Sequence, residues 1–177
     1  DVAVGGYFTS AGGVPVNRVA RYNPQSDTWS TLGVPQCSWV GALTVLPDGK
    51  LIGALAQDYS GINIARYDPT NATWTTLGSV TGMNSSGQVL ALAGLPDGDI
   101  VVAGRSFAPQ GISSIVGIAR LRPATSKWSI MGNANISDAW TLGVLTNGDV
   151  LVGGPFRLSG GGPANYIARY HSGTNSW

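Results

Sequence analysis

The chain has 177 residues, 43% of them hydrophobic and only 11% charged, with 26 Gly, 10 Pro and 6 Trp. Ten basic against nine acidic residues leave a formal charge of +1 without a Lys/Arg cluster, so the electrostatic footprint of a nucleic-acid binder is missing, and no apolar run approaches the ~20 residues of a membrane helix. Cys37 is the only cysteine, which excludes an intrachain disulfide and a thiolate metal cluster and leaves a buried or tolerated thiol as the expectation.

Many glycines and prolines with little charge suit short strands and turns, and an all-β chain is expected. Residues 1–6 are a short apolar run ending in Gly5-Gly6, a buried strand whose glycines let a neighbouring sheet approach. The run returns at 50–55, 99–104 and 149–154, offsets of 49, 49 and 50 residues, and is designated strand b. A connection over 7–17 leads to Val19-Ala20-Arg21-Tyr22, strand c, which returns as Ile64-Ala65-Arg66-Tyr67, Ile118-Ala119-Arg120-Leu121 and Ile167-Ala168-Arg169-Tyr170. In each copy a Trp follows the Ala by nine residues without a gap, at Trp29, Trp74, Trp128 and Trp177, and opens strand d. Pro24, Pro69 and Pro123 start the turn between c and d, because proline fixes φ and ends the ladder; His171-Ser172-Gly173 stands there in the last copy. Strand a, over 40–46, 89–95 and 139–145, precedes b across Pro47-Asp48-Gly49, Pro96-Asp97-Gly98 and Thr146-Asn147-Gly148. Asp-Gly or Asn-Gly between two apolar runs marks a tight hairpin, so a and b are antiparallel neighbours.

A four-stranded antiparallel unit of about 49 residues in tandem describes a β-propeller blade. The units run approximately 1–49, 50–98, 99–148 and, incomplete, 149–177. The first opens on strand b and the last stops at the first residue of strand d, while a closed ring needs roughly four to eight blades. The expectation is about three and a half blades belonging to a longer polypeptide, half of a six- to eight-bladed ring, or else a ring closed by a second copy or another chain. Exposed blade edges invite such association.

The residues also resemble the kelch family: an apolar run closed by Gly5-Gly6 or Gly153-Gly154, then a Tyr and a Trp with six residues between them, as in Tyr22/Trp29, Tyr67/Trp74 and Tyr170/Trp177. Secreted propeller repeats with Phe-Thr-Ser-Ala-Gly-Gly after strand b are similar too, matched by residues 8–13 and in part by Phe156 with Gly160-Gly161. The resemblance covers essentially the whole chain. It departs at Ala54-Leu55 and Ala103-Gly104 for the double glycine and at Leu121 for the tyrosine. It implies a propeller in which Trp29, Trp74, Trp128 and Trp177 fill the gaps between blades rather than stack sugars.

Several candidate sites follow. Arg21, Arg66, Arg120 and Arg169 could present guanidinium groups to an anionic ligand; their identical place in every unit is better explained by a repeated inter-blade hydrogen bond to backbone carbonyls. Trp39 and Trp140 lie near the start of strand a and off the common pattern, so they are the aromatics to consider for a ligand contact, against packing in the core. Copper-radical oxidases occur among kelch-like propellers, but their two histidine ligands cannot be found where His171 is the sole histidine, and a Ser-His-Asp triad would need the same residue. Asp48, Asp97 and Asn147 recur in hairpins and read as turn chemistry rather than calcium ligands. Gly160-Gly161-Gly162 lacks the context of a phosphate loop. No enzyme activity and no cofactor are expected.

Asn71, Asn84 and Asn135 head three sequons and are candidates for N-linked glycans, which with the low charge points to a secreted or cell-surface chain. The antiparallel order puts the b–c and d–a loops, with Asn84 and Asn135, on one face and the a–b and c–d turns, with Asn71, on the other. The leading reading is a non-catalytic extracellular scaffold or protein-interaction propeller in a larger surface or appendage protein, its partners being other chains or the remainder of its own polypeptide. A carbohydrate-binding module using Trp39 or Trp140, or an accessory propeller of a secreted enzyme, is the alternative.

Overall fold

In a computed structural model, residues 1–33, 37–58, 61–81, 87–132, 136–156 and 166–177 are described. The described residues form strands and turns without a helix. In chain order the strands are β1 (Val2–Gly5), β2 (Ser10–Ala11), β3 (Val14–Pro15), β4 (Val19–Asn23), β5 (Thr28–Thr31), β6 (Trp39–Val45), β7 (Leu51–Gln57) and β8 (Gly61–Asp68). They continue as β9 (Thr73–Thr81), β10 (Gln88–Gly94), β11 (Ile100–Pro109), β12 (Val116–Arg122), β13 (Lys127–Ser129), β14 (Thr141–Val144), β15 (Val150–Gly153) and β16 (Ile167–Tyr170).

Every pairing is antiparallel, and neighbours in sequence are neighbours in space. The first blade is β1-β4-β5, the second β6-β7-β8-β9, the third β10-β11-β12-β13 and the fourth β14-β15-β16. The sequence repeat is therefore one strand out of phase with the blade, since the innermost strand of each blade comes from the preceding repeat. Those strands, β6, β10 and β14, pack side by side, with β1 against β6. This architecture is a β-propeller, about three and a half blades of it.

The hairpin between strands a and b has one geometry in three blades. The N–H of Leu46, Leu95 and Leu145 donates to the carbonyl of Lys50, Asp99 and Asp149 at 2.8–2.9 Å. Within each loop the side-chain oxygen of Asp48, Asp97 or Asn147 accepts the N–H two residues on at 3.1 Å. The glycine closing it, Gly49, Gly98 or Gly148, has φ of 81–86°, a region side-chain-bearing residues avoid. A second constant feature sits two residues before each Trp, where Asp27, Ala72, Ser126 and Asn175 hold φ of 50–53°. No glycine marks that position, which is why pattern reading passes over it.

Apolar faces of adjacent blades meet in three cores. Val19, Leu32, Val40, Leu55 and Ala65 join the first blade to the second. Ile52, Ile64, Val80, Ile100, Phe107 and Leu121, among others, form the core shared by the second and third. Val101, Met131, Ile136, Val150, Val152 and Tyr170 belong to the one between third and fourth. Each blade thus buries its apolar surface only against its neighbours, the arrangement that makes tandem repeats interdependent.

Two departures from the expected strands have local causes. Strand d of the second blade runs past Leu77-Gly78 to Thr81, because its end pairs with β11 of the third blade through Val80 and Thr81 opposite Pro109 and Ala108. A bulge at Ile64/Ala65, where Leu77 goes unmatched, accommodates the extra length. In the first blade the b–c connection is itself a small hairpin, β2-β3, instead of an irregular loop, and Gly12 at its tip lies against the Trp29 indole.

Candidate functional site

Three of the four repeated arginines are held by carboxylates of their own blade, which corrects for them the expectation of inter-blade bonds to backbone carbonyls. Arg21 bonds Asp1, Arg120 bonds Asp99 at 2.7 Å and also Asp97, and Arg169 bonds Asp149 at 2.7–2.9 Å. The register explains the choice: Arg21, Arg120 and Arg169 on strand c face Ala3, Val101 and Leu151, two residues beyond the aspartate that precedes each strand b. The signal was present as an acid 20 or 21 residues before the arginine, but nothing in one strand says which way the guanidinium reaches. Asp99 and Asp149 are among the buried polar residues, so each is a fully committed acceptor. Asp149 collects the most donors, from the Ser172 N–H, Arg169, Asn147 and the Nδ1 side of His171 at 3.2 Å. The Ser172 backbone N–H above all, then Arg169 and Asn147, holds its carboxyl well below the usual carboxylate range against the opposing cost of burial.

The tryptophans reach backwards by one blade. Trp74 Nε1 donates to the Leu32 carbonyl at 2.9 Å and Trp177 Nε1 to the Met131 carbonyl at 2.6 Å. Trp29, Trp74 and Trp177 are also tilted against Tyr22, Tyr67 and Tyr170 at 4.9–5.3 Å between ring centres. Trp128 packs on the core between the second and third blades, but its buried Nε1 has no partner among the described residues. All four rings are half-buried, Trp29 against the tip of the β2-β3 hairpin and the other three beside the cores between blades.

Trp39 and Trp140 separate. Trp39 packs against the core between the second and third blades. Trp140 is 49% exposed, and the Arg105 guanidinium lies 5.8 Å from its ring centre, itself ion-paired to Asp138 at 2.9 Å. A parallel arrangement stands on the first blade, where Arg18 covers the ring of Tyr7 at 4.3 Å and Tyr7 is 77% exposed. Tyr7, Arg18, Arg105 and Trp140 lie past the end of strand b, just before strand c or at the start of strand a, so the topology gathers them on the b–c and d–a face. Ile115, Tyr166 and Ile167, also exposed, belong to the same face. The two aromatic–cation pairs stand apart on that face, one on the first blade and one joining the third and fourth. Tyr7, Arg18 and Arg105 escaped the sequence reading because they fall in segments that differ between repeats.

Asn71 is exposed in the c–d turn, its side-chain oxygen accepting from Thr73 at 2.6 Å. Asn84 and Asn135 lie outside the described residues. Cys37 is half-buried, and burial pushes its thiol up, opposed in part by the Arg18 charge. Among the described residues no group of three or more His, Cys, Asp or Glu is placed to hold a metal ion.

Blades of antiparallel strands packed through their innermost members, with Trp74 and Trp177 each bonded to the blade before, define a β-propeller protein. The model described as the Rax2 C-terminal beta propeller domain matches residues 1–146, and the chain belongs to that family. A second model, a beta-propeller domain of unknown function (DUF5122), matches residues 145–173. No curated protein matches the chain. Among solved structures the chain is similar to the extracellular domain of BT4673 from B. thetaiotaomicron, described there as a one component system, with a TM-score of 0.56 and 16% identity over 88% of this chain and 18% of that one. A second structure of that domain, described as from a hybrid two component system, gives 0.55 and 12% over 87% and 19%. The chain spans under a fifth of those structures, and at such identities the likeness is one of fold.

Proposed function

We propose that this propeller is a non-catalytic, extracellular protein-interaction scaffold within a larger surface or appendage protein, its b–c and d–a face docking the partner. The observation that carries the reading is the division of side chains between the two faces. The acids and arginines of the hairpin face are largely spent on ion pairs inside their own blades, whereas Tyr7, Trp140 and Tyr166 project from the opposite face with 77%, 49% and 69% of their surface open. Aromatic and arginine side chains on an otherwise weakly charged face are the usual anchors of protein interfaces. An exposed sequon at Asn71 and similarity to solved extracellular domains support an extracytoplasmic setting, and the kelch-like Tyr–Trp pairs fit a repeat used as a frame.

Photo-crosslinking residues placed at positions 7, 140 and 166 of the full-length protein, displayed on the cell surface, test this reading. Discrete adducts from that face, and none from positions in the c–d turns, are expected. Absence of adducts from either face would refute the docking role. The sequon argument is tested separately by mass: expression in a glycosylating host adds a glycan that Asn71→Gln removes, and an unmodified Asn71 there would remove the sequon as support for the extracellular setting.

A second reading has its own observation, the open Trp140 ring flanked by the Arg105–Asp138 pair, which combines a stacking plate with donors and acceptors in the way a sugar subsite does. A glycan array separates the two. Sugar binding lost in Trp140→Ala would favour a carbohydrate-binding propeller, and no binding by the parent chain would leave the protein-docking reading alone.

A further inference from the structure

Three blades close the same ion pair, Asp1 with Arg21, Asp99 with Arg120 and Asp149 with Arg169. In the second blade the residue at the aspartate's place, 49 positions after Asp1 and 49 before Asp99, is Lys50. Lys50 bonds the Asp48 carboxylate of the preceding turn. Arg66 is thereby the one repeated arginine without a carboxylate partner among the described residues. Asp68, two residues along the strand, is engaged in its turn, where it accepts the Thr70 N–H at 2.9 Å.

Arg66 is partly buried and lines a cavity of about 300 Å³ between the second and third blades, walled by Leu46, Leu77 and Pro123 and edged by Asp97 and Asp99. Those two carboxylates are already neutralised, Asp97 by Arg120 and Asp99 by Arg120 and by Arg122 at 3.3 Å. Asp48 is held by Lys50, so of the charged groups that line the cavity Arg66 is the one without an ion-pair partner among the described residues. A guanidinium beside apolar walls gives up hydration that a bidentate carboxylate would replace. We propose that the Arg66 cavity is a carboxylate-binding site, which takes an acidic peptide side chain or a small organic acid where the other blades supply their own aspartate. It lies on the a–b hairpin side and is independent of the aromatic face.

The test is side-chain NMR of the arginine Nε–Hε groups in the full chain, titrated with succinate in one arm and, in the other, with a capped neutral-backbone peptide carrying one aspartate. A saturable shift of the Arg66 signal is expected, and the arm that saturates at the lower concentration identifies the source of the carboxylate. Arg66→Gln should weaken binding by about tenfold or more. Lys50→Asp, which restores the repeat's own aspartate, should weaken it as much while raising Tm. The proposal is overturned if neither probe gives a saturable shift, if Arg66→Gln binds as well as the parent, or if Lys50→Asp leaves binding intact; the last variant keeps the test decisive should Arg66→Gln fold poorly.

Discussion

Trp74 of the second blade donates its indole N–H to the carbonyl of Leu32 in the first, 2.9 Å away and 42 residues earlier in the chain. A single side chain here packs on the inter-blade core and bonds a carbonyl of the blade before, so blade packing and polar satisfaction depend on the same residue. Trp74→Phe keeps most of the ring and loses the bond, and should cost about 1 kcal/mol in urea denaturation, whereas Trp74→Ala should cost about 3–5 kcal/mol.

Trp128 supplies the contrast. Its buried Nε1 has no acceptor among the described residues, and Leu77, whose carbonyl would be the equivalent partner, is the unmatched residue of the bulge in the second blade. Removing an unsatisfied buried donor relieves a desolvation cost, so Trp128→Phe should destabilise by at least about 1 kcal/mol less than Trp74→Phe. Equal losses for the two variants would mean that the hydrogen bond contributes nothing to the difference.

Backbone crowding differs sharply between glycines. A Cβ at Gly104 would overlap the carbonyl oxygen of Gln88, a backbone atom that cannot swing aside, while one at Gly173 would meet nothing within 4 Å. Gly104→Ala should lower stability by about 2 kcal/mol or more, and Gly173→Ala should stay within about 0.5 kcal/mol of the parent. Thermal and denaturant melts of the two variants read this directly.

Acid should attack the fourth blade through Asp149. Its folded carboxyl titrates below the unfolded value, chiefly because the Ser172 N–H and Arg169 favour the anion. A depressed folded value means that the stabilisation is complete above about pH 4 and is lost as pH falls from there toward the folded value. Asp149→Asn should therefore flatten the acid limb of a stability-against-pH curve, and an unchanged slope below pH 4 would exclude this carboxylate as its source.

Cys37 should react slowly. Burial disfavours its thiolate more than Arg18 favours it. Alkylation by iodoacetamide at pH 7 should run slower than that of a free cysteine and speed up in urea as the fold opens.

Much of the fold is written locally. The ungapped Ala-to-Trp spacing, the Asp-Gly and Asn-Gly turns and the 49-residue period place strands b, c and d and the a–b hairpins, although β11 runs five residues past Gly104, β8 starts three before Ile64 and β13 stops three short of Gly132. Local pattern fails where an element answers to a neighbour: β9 outruns its glycine because β11 pairs with its end, and the 7–17 connection folds into β2-β3 beside Trp29. At the candidate sites the residue types were legible and their partners were not. Arg21, Arg120 and Arg169 stood out as a set, but strand alternation assigns a side chain to a face without saying which group it meets there.

The sequence by itself determined the repeat, its four-strand order and the hairpins, because those depend on residues a few positions apart and on backbone preferences each residue carries with it. Only the tertiary structure decided that the arginines close on aspartates some 20 residues upstream, that Trp74 and Trp177 bond the blade before them, and that Tyr7 and Trp140 share an open face. These relations hinge on how twisted sheets stack around an axis, a geometry that sets distances between residues no local pattern connects.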